Sequence, residues 1–289
     1  MISLGISLAL LTAVITSLLD VLSKKTVQTI NEYVVAFSLR FYTLFFLLPF
    51  FLFIDIPPIN NKFWLALLIS GLLNLITSIL YMKALKASDI SLSVPLVTFT
   101  PLFLLVTSPF LVGEIPTFWG MIGVFSIVIG SYVLNLKSKK TGIFAPFKAL
   151  FHEKGSKMML CVAFLWSISS NFDKIGVKNS SPLFWSFMVN LFIVLVLFPL
   201  VLIKARTDFS QFNIHWKKLV PFGFLNASAV FFQMTAVSLT LVTYVISVKR
   251  LSVVFSVLFG YLIFKEQGIK ERLLGSLLMV AGVVIIALS

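Results

Sequence analysis

The sequence predicts an all-α membrane protein of ten transmembrane helices, arranged as two inverted five-helix repeats. Three observations lead there. Of the 289 residues, 59% are hydrophobic and only 11% charged, with a mean hydropathy of +1.07. Soluble domains carry about 25% charged residues, and a water-soluble surface could not hide this much apolar side chain. Second, the apolar residues fall into runs of roughly the 20 residues that a helix needs to span a bilayer. Third, the two halves of the chain resemble each other at a fixed offset.

The runs, in order, are 3–23, 34–54, 63–82, 90–111, 117–136, 157–173, 183–203, 219–239, 243–264 and 270–288. The first lacks a basic leader and is too long for the core of a signal peptide, so it is expected to be a spanning helix. It carries Asp20 and stops at Lys24-Lys25. The second carries Arg40 and ends before Asp55-Ile56-Pro57-Pro58; the third carries Asn74 and Tyr81. Pro95 and Pro101 interrupt the fourth, freeing backbone carbonyls and kinking it. The fifth holds Gly123 and Gly130 at a spacing that suits close helix approach. A basic linker over 137–156, with Lys137, Lys139, Lys140, Lys148 and Lys154, divides the chain into a first repeat, 1–136, and a second, 157–289. In the second repeat the runs carry in turn Trp166, Asn171 and Asp173; Asn190; Asn226 and Gln233; Tyr244, Lys249 and Arg250; and Gly275 and Gly282.

Gly71 and Asn74 match Gly223 and Asn226, Glu114 matches Glu266, and Gly123 and Gly130 match Gly275 and Gly282, all at one offset (266 − 114 = 152). Asp20 and Asp173 form a further pair at 153. Five helices per repeat is an odd number, so the second repeat must enter the membrane upside down relative to the first. Many secondary transporters use that inverted arrangement for alternating access. Of the loop lysines and arginines, only Lys62, Lys174 and Lys178 fall on the side reached after even-numbered helices. The positive-inside rule then puts the odd loops in the cytoplasm and both termini outside, with the cell membrane as the expected location. The same rule accounts for the formal net charge of +13, so no nucleic-acid partner is expected.

The sharpest local feature is Lys249-Arg250, about 9 Å into the ninth run at 1.5 Å per residue. Each charge there costs about 2.5–3.5 kcal/mol or more unless it meets water or a partner. The alternatives are an anion-attracting wall, snorkelling to the interface, or structural pairing with a buried acid. Asp20 and Asp173 are the obvious acids, as counterions or proton-coupling groups, or else as interfacial caps beside Lys24 and Lys174. Arg40 is read either as a cavity residue or as an interface anchor. The amides Asn74, Asn226, Asn171, Asn190 and Gln233 must face protein or water, since an unpaired amide in lipid is expensive. Glu114 and Glu266 are expected to cap the helix that follows each. The single cysteine, Cys161, excludes an internal disulfide and is expected to pack inside. No nucleotide loop, metalloprotease or serine-hydrolase signature occurs, so neither an enzyme nor a cofactor is expected.

Two segments carry a family resemblance: Leu111-Val112-Gly113-Glu114-Ile115-Pro116-Thr117 with Gly120, Gly123 and Gly130, and Phe264-Lys265-Glu266 with Gly275 and Gly282. They resemble the EamA family of the drug/metabolite transporter superfamily, whose halves each end in a helix, a short Gly-Glu turn and a glycine-bearing last helix. Lys265 stands where that pattern has glycine. The resemblance implies a transporter and leaves the cargo open, since members move amino acids, drugs, nucleotide sugars and other metabolites. Joined to the residues above, it leads to an expected secondary transporter of a small polar or anionic metabolite. Its cavity would hold Lys249, Arg250, Tyr81, Trp166, Tyr244, Asn74 and Asn226, with Asp20 or Asp173 for coupling. The alternative, a membrane scaffold or sensor, would need no polar lining.

Overall fold

A computed structural model describes residues 2–87, 96–135, 154–255 and 269–289. Among the described residues the regular structure is helical throughout. The first half contains α1 (Ile2–Val27), α2 (Glu32–Phe51), α3 (Asn61–Ala87), α4 (Thr100–Leu111) and α5 (Phe118–Asn135). The second contains α6 (Lys154–Lys178), α7 (Pro182–Lys204), α8 (Trp216–Leu239), α9 (Val242–Lys249) and α10 (Ile269–Leu288), with a one-turn helix, Ser210–Ile214, before α8. Short polar caps start some of these helices. The Asn31 side chain accepts from the Tyr33 amide at the head of α2. Ser181 does the same for Phe184 at the head of α7, where Pro182 supplies a first-turn residue that has no amide to satisfy.

Among the described residues, five helices are long and apolar enough to cross a membrane: α1, α2, α3, α7 and α8. Apolar side chains cover their outer faces. Phe45 on α2, Leu65 on α3 and Ile203 on α7 are 60%, 57% and 73% exposed, a surface suited to lipid tails. The helix α6 is more polar because it is an inner element. It packs against α3 and α4 and buries Ser167, Ser169, Asn171, Asp173 and Lys174. It also runs five residues past the predicted end at 173, because Lys174 is buried by the fold instead of ending the helix in water. It begins at Lys154, three residues inside the predicted linker; 136–153 lies outside the described residues. Cys161, expected inside, is exposed.

The halves interlock, and the packing is reciprocal. Helix α1 packs on α8 as α6 packs on α3; α2 packs on α8 as α7 on α3; α4 packs on α6 as α9 on α1. Repeat-related helices also meet directly. Between α5 and α10 a Cβ on Gly123 would lie 2.7 Å from the Gly282 carbonyl oxygen, and one on Gly130 would lie 2.7 Å from that of Gly275. As one number rises the other falls, so these two helices run antiparallel. They cross where Ser126 Oγ donates to the Leu278 carbonyl at 2.8 Å, two positions that are themselves 152 apart (278 − 126). Seven-residue spacing puts both glycines of each helix on one face, and the missing side chains let the backbones touch. Helices α2 and α7 also run antiparallel, with Phe37 against Phe198 and Phe51 against Phe184.

Two predicted helices are not continuous. The chain turns at Thr98–Phe99 before α4, and again at Arg250–Leu251 after α9, where Arg250 and Leu251 donate three residues back to Ser247 and Val248. These breaks sit at repeat-equivalent positions (250 − 98 = 152), and at them Arg250 meets Thr100. Pro101 accounts for the first break, since it has no amide to donate. The second follows the two cations. Pro95, Glu266 and the remainder of the predicted fourth and ninth runs fall outside the described residues.

Candidate functional site

A cavity of about 170 Å³, room for several water molecules, lies between the halves. It is lined from α1, α2, α3, α6, α7, α8 and α9, with Thr100 from the start of α4. Five charged side chains face it: Asp20, Arg40, Asp173, Lys249 and Arg250. Arg40, which the sequence left open between cavity and interface, therefore belongs to this lining.

Helical spacing brings the polar groups together. Ser70, Asn74, Ser78 and Tyr81 lie on one stripe of α3, and Trp166, Ser169, Ser170 and Asp173 on one stripe of α6. Asp173 Oδ1 accepts from Ser70 Oγ at 2.5 Å and from the Trp185 indole N–H at 3.1 Å. The Trp185 ring reaches it because Gly176, one turn on, has no side chain; a Cβ there would sit 2.1 Å from the ring. Asn74 Nδ2 donates to Ser70, and the Arg40 guanidinium donates to Ser78 at 2.9 Å and to Asn190 Oδ1 at 3.3 Å. Asn226 Nδ2 donates to Thr43 Oγ1 at 2.8 Å.

The second group gathers at the broken end of α9. Lys249 Nζ donates to Gln233 Oε1 at 2.7 Å. Arg250 is 8% exposed; its Nη2 donates to Thr100 Oγ1 at 2.8 Å and its guanidinium lies 5.7 Å over the Trp166 ring. Its Nε–H is buried without a hydrogen-bond partner among the described residues. Trp166 in turn packs on Tyr81, with ring centres 5.4 Å apart, and Tyr81 donates its hydroxyl to Asp20 Oδ1 at 2.9 Å. An aromatic pair thus separates the guanidinium from the carboxylate.

Among the described residues the ion pairs are Lys86–Glu32, Lys174–Glu114 and Lys178–Glu114. Neither Asp20 nor Asp173 is in one, so of the alternatives open for Lys249 and Arg250, direct pairing with a buried acid is not formed among the described residues. Nor does Asp173 pair with its neighbour Lys174. Adjacent residues on a helix point about 100° apart, and Lys174 faces Glu114 instead. Glu114 itself corrects an expectation: it caps α9 of the other half, accepting from the Val242 amide at 3.0 Å, and not the helix that follows it. Tyr244 is a second correction. It does not line the cavity. Its hydroxyl accepts from the Thr117 amide at 3.1 Å and its ring fills the space left by Gly120, so it joins α9 to α5. Lys249, Arg250, Tyr81, Trp166, Asn74, Asn226, Asp20 and Asp173 do converge on the cavity. Sequence reading passed over Ser70, Ser78, Thr100 and Trp185. The polar stripes on α3 and α6 were the signal for the first two.

The model of the EamA-like transporter family matches residues 3–136 and, a second time, residues 153–288. The chain belongs to the EamA-like transporter family. This makes it an integral membrane protein of a transporter family with a two-repeat architecture. No curated protein matches the chain. A solved structure described as "Crystal structure of protein" is similar over 99% of this chain and 96% of its own, with a TM-score of 0.70 and 14% sequence identity. At that identity the likeness is one of fold alone.

Proposed function

We propose that this EamA-like protein is a secondary transporter of a small anionic or polar organic metabolite. Its two halves would act as inverted five-helix units, ten spans in all, rocking about the central cavity. The reciprocal packing and the antiparallel crossing of repeat-related helices support the inverted reading. Equivalent helix breaks beside a midplane cavity are a recurrent feature of such transporters.

The observation that carries the substrate class is the charge of the lining. Arg40, Lys249 and Arg250 oppose Asp20 and Asp173, an excess of one positive charge (3 − 2), and among the described residues none of these cations is neutralised by direct ion pairing. A fixed positive excess in a partly desolvated cavity favours an anion more than it would in bulk water. Arg250 adds geometry. The guanidinium, whose buried Nε–H has no hydrogen-bond partner among the described residues, can hold a carboxylate or phosphate that reaches it with two parallel donors, which a lysine cannot. Lys249 supplies a compact second charge, held by Gln233. Positive-inside topology supports the odd loops facing the cytoplasm of a cell membrane.

The test is a thermal-shift screen of carboxylates, phosphate esters, amines and neutral polar metabolites on purified protein, followed by uptake of the stabilising compounds in proteoliposomes. Anions should stabilise and amines should not. Two charge-assisted bonds are worth about 3 kcal/mol, so Arg250→Ala should weaken binding roughly 100-fold, with Arg250→Lys in between. Wild-type binding by Arg250→Ala would remove Arg250 from the site.

A further inference from the structure

We propose that Glu114 and Lys174 form a latch between the halves that positions the cation-bearing helix α9 and must part before anything passes the cavity on that face. The inference rests on the alternating-access reading above. Lys174 is 3% exposed, and each of its three ammonium hydrogens has a partner. It donates to the Val237 carbonyl, to the Thr240 carbonyl at 2.7 Å, and pairs with Glu114 Oε1 at 3.2 Å. Val237 and Thr240 belong to the end of α8 and the turn into α9. The other oxygen of Glu114 accepts from Val242, the first residue of α9. Two side chains from α6 and from the turn after α4 thus grip both ends of the α8–α9 turn.

The local backbone is shaped for this. At the end of α4 the Ser108 carbonyl accepts from Val112 and Gly113, both at 3.0 Å, and Gly113 has φ of 72°. That left-handed residue turns the chain so that Glu114 points across to the second half instead of along α5. Lys178, half-exposed at 3.6 Å from Glu114, adds a second and weaker cation at the rim.

Opening this face must separate α6 or the α4–α5 turn from the α8–α9 turn. Either movement breaks contacts of Lys174 or Glu114 and strands a charge unless water enters at the same time. The latch is therefore a two-state element. It is also one-sided. At the repeat-equivalent place α1 carries Val21 or Leu22, for offsets of 153 or 152, so α1 provides no matching lysine there. The rim lysine does recur, Lys25 for Lys178 at 153. The two faces of the transporter would thus be held shut by different chemistry.

The experiment uses Cys161→Ser protein carrying Val189→Cys, a cavity-lining position on α7, in oriented proteoliposomes. The rate of labelling by a membrane-impermeant maleimide is measured from each face. From the face bearing Glu114, Lys174→Met and Glu114→Gln should each raise the rate at least tenfold, while the rate from the opposite face stays or falls. Lys174→Met leaves Glu114 with Lys178 and the Val242 amide, so it keeps a folded variant available if Glu114→Gln does not fold. Rates from the Glu114 face that are unchanged in folded variants overturn the latch. Labelling from only one face in every variant, the parent included, overturns alternating access itself. Amide hydrogen exchange over 237–245 in the parent supplies a reading without any latch substitution. Cavity labelling from the Glu114 face while the Val242 amide stays protected on the same timescale also overturns the proposal.

Discussion

Asp173 separates a structural contribution from a functional one, because both of its hydrogen bonds end on the same oxygen. Ser70 Oγ and the Trp185 indole N–H each donate to Oδ1, and all three residues are buried. Asp173→Ala leaves two buried donors unsatisfied at about 1–3 kcal/mol each, a loss of roughly 2–6 kcal/mol. Asp173→Asn keeps an oxygen in the Oδ1 position. It exchanges two charge-assisted bonds of about 1.5–3 kcal/mol for neutral ones of about 0.5–1.5, and regains the cost of burying a carboxylate, for a net loss of about 0–2 kcal/mol. Thermal unfolding in detergent should therefore rank wild type, then Asn, then Ala, with Ala below Asn by about 4 °C or more. Asparagine also raises the positive excess of the cavity by one charge, so a stabilising anion should bind Asp173→Asn at least as tightly as wild type. Equal melting temperatures for Asn and Ala would refute the bonding to Oδ1. Loss of anion binding in a stable Asn variant would refute the charge argument for the cavity.

Three further outcomes test the packing. Gly130→Ala brings a Cβ to 2.7 Å from the Gly275 carbonyl, a backbone atom that cannot swing away, and should cost about 1–3 kcal/mol in thermal unfolding. Gly113→Ala meets nothing within 4 Å, so it should cost only the left-handed backbone, about 1–2 kcal/mol, and should lower stability without disturbing the α5–α10 contact. Asn31 caps α2 and donates to Asp208 Oδ2 at 2.8 Å; Asn31→Ala should cost about 1–2 kcal/mol and speed limited proteolysis between α7 and α8, and an unchanged cleavage rate would remove that tether.

Much of the cavity was legible in the chain because an isolated polar group in an apolar run is conspicuous. Lys249, Arg250, Asp173 and the two repeat-related asparagines stood out on cost alone. The polar stripe of α3 was legible in principle, by its three- and four-residue spacing, and explains why Ser78 joins the lining and Ser70 sits behind it on Asp173. Trp185 carried no such signal, since a tryptophan near a helix start reads equally well as an interface anchor. Its role depends on Gly176 leaving a slot in α6.

Composition, run length and the constant repeat offset are local or periodic properties, and they alone determined that this is a helical membrane protein of two related halves with charge inside its apolar runs. Partner choice was not determined there. That Glu114 caps α9 and not α5, that Lys174 turns away from Asp173, that Tyr244 leaves the cavity and Arg40 enters it, and that Asp20 and Asp173 share a lining with Arg40, Lys249 and Arg250 without pairing with them were decided by the tertiary structure. Each involves residues far apart in sequence, brought together by where helices of opposite halves cross. That crossing depends on where small residues let two backbones approach and on the direction a single left-handed glycine gives a turn, neither of which a pattern along one helix records.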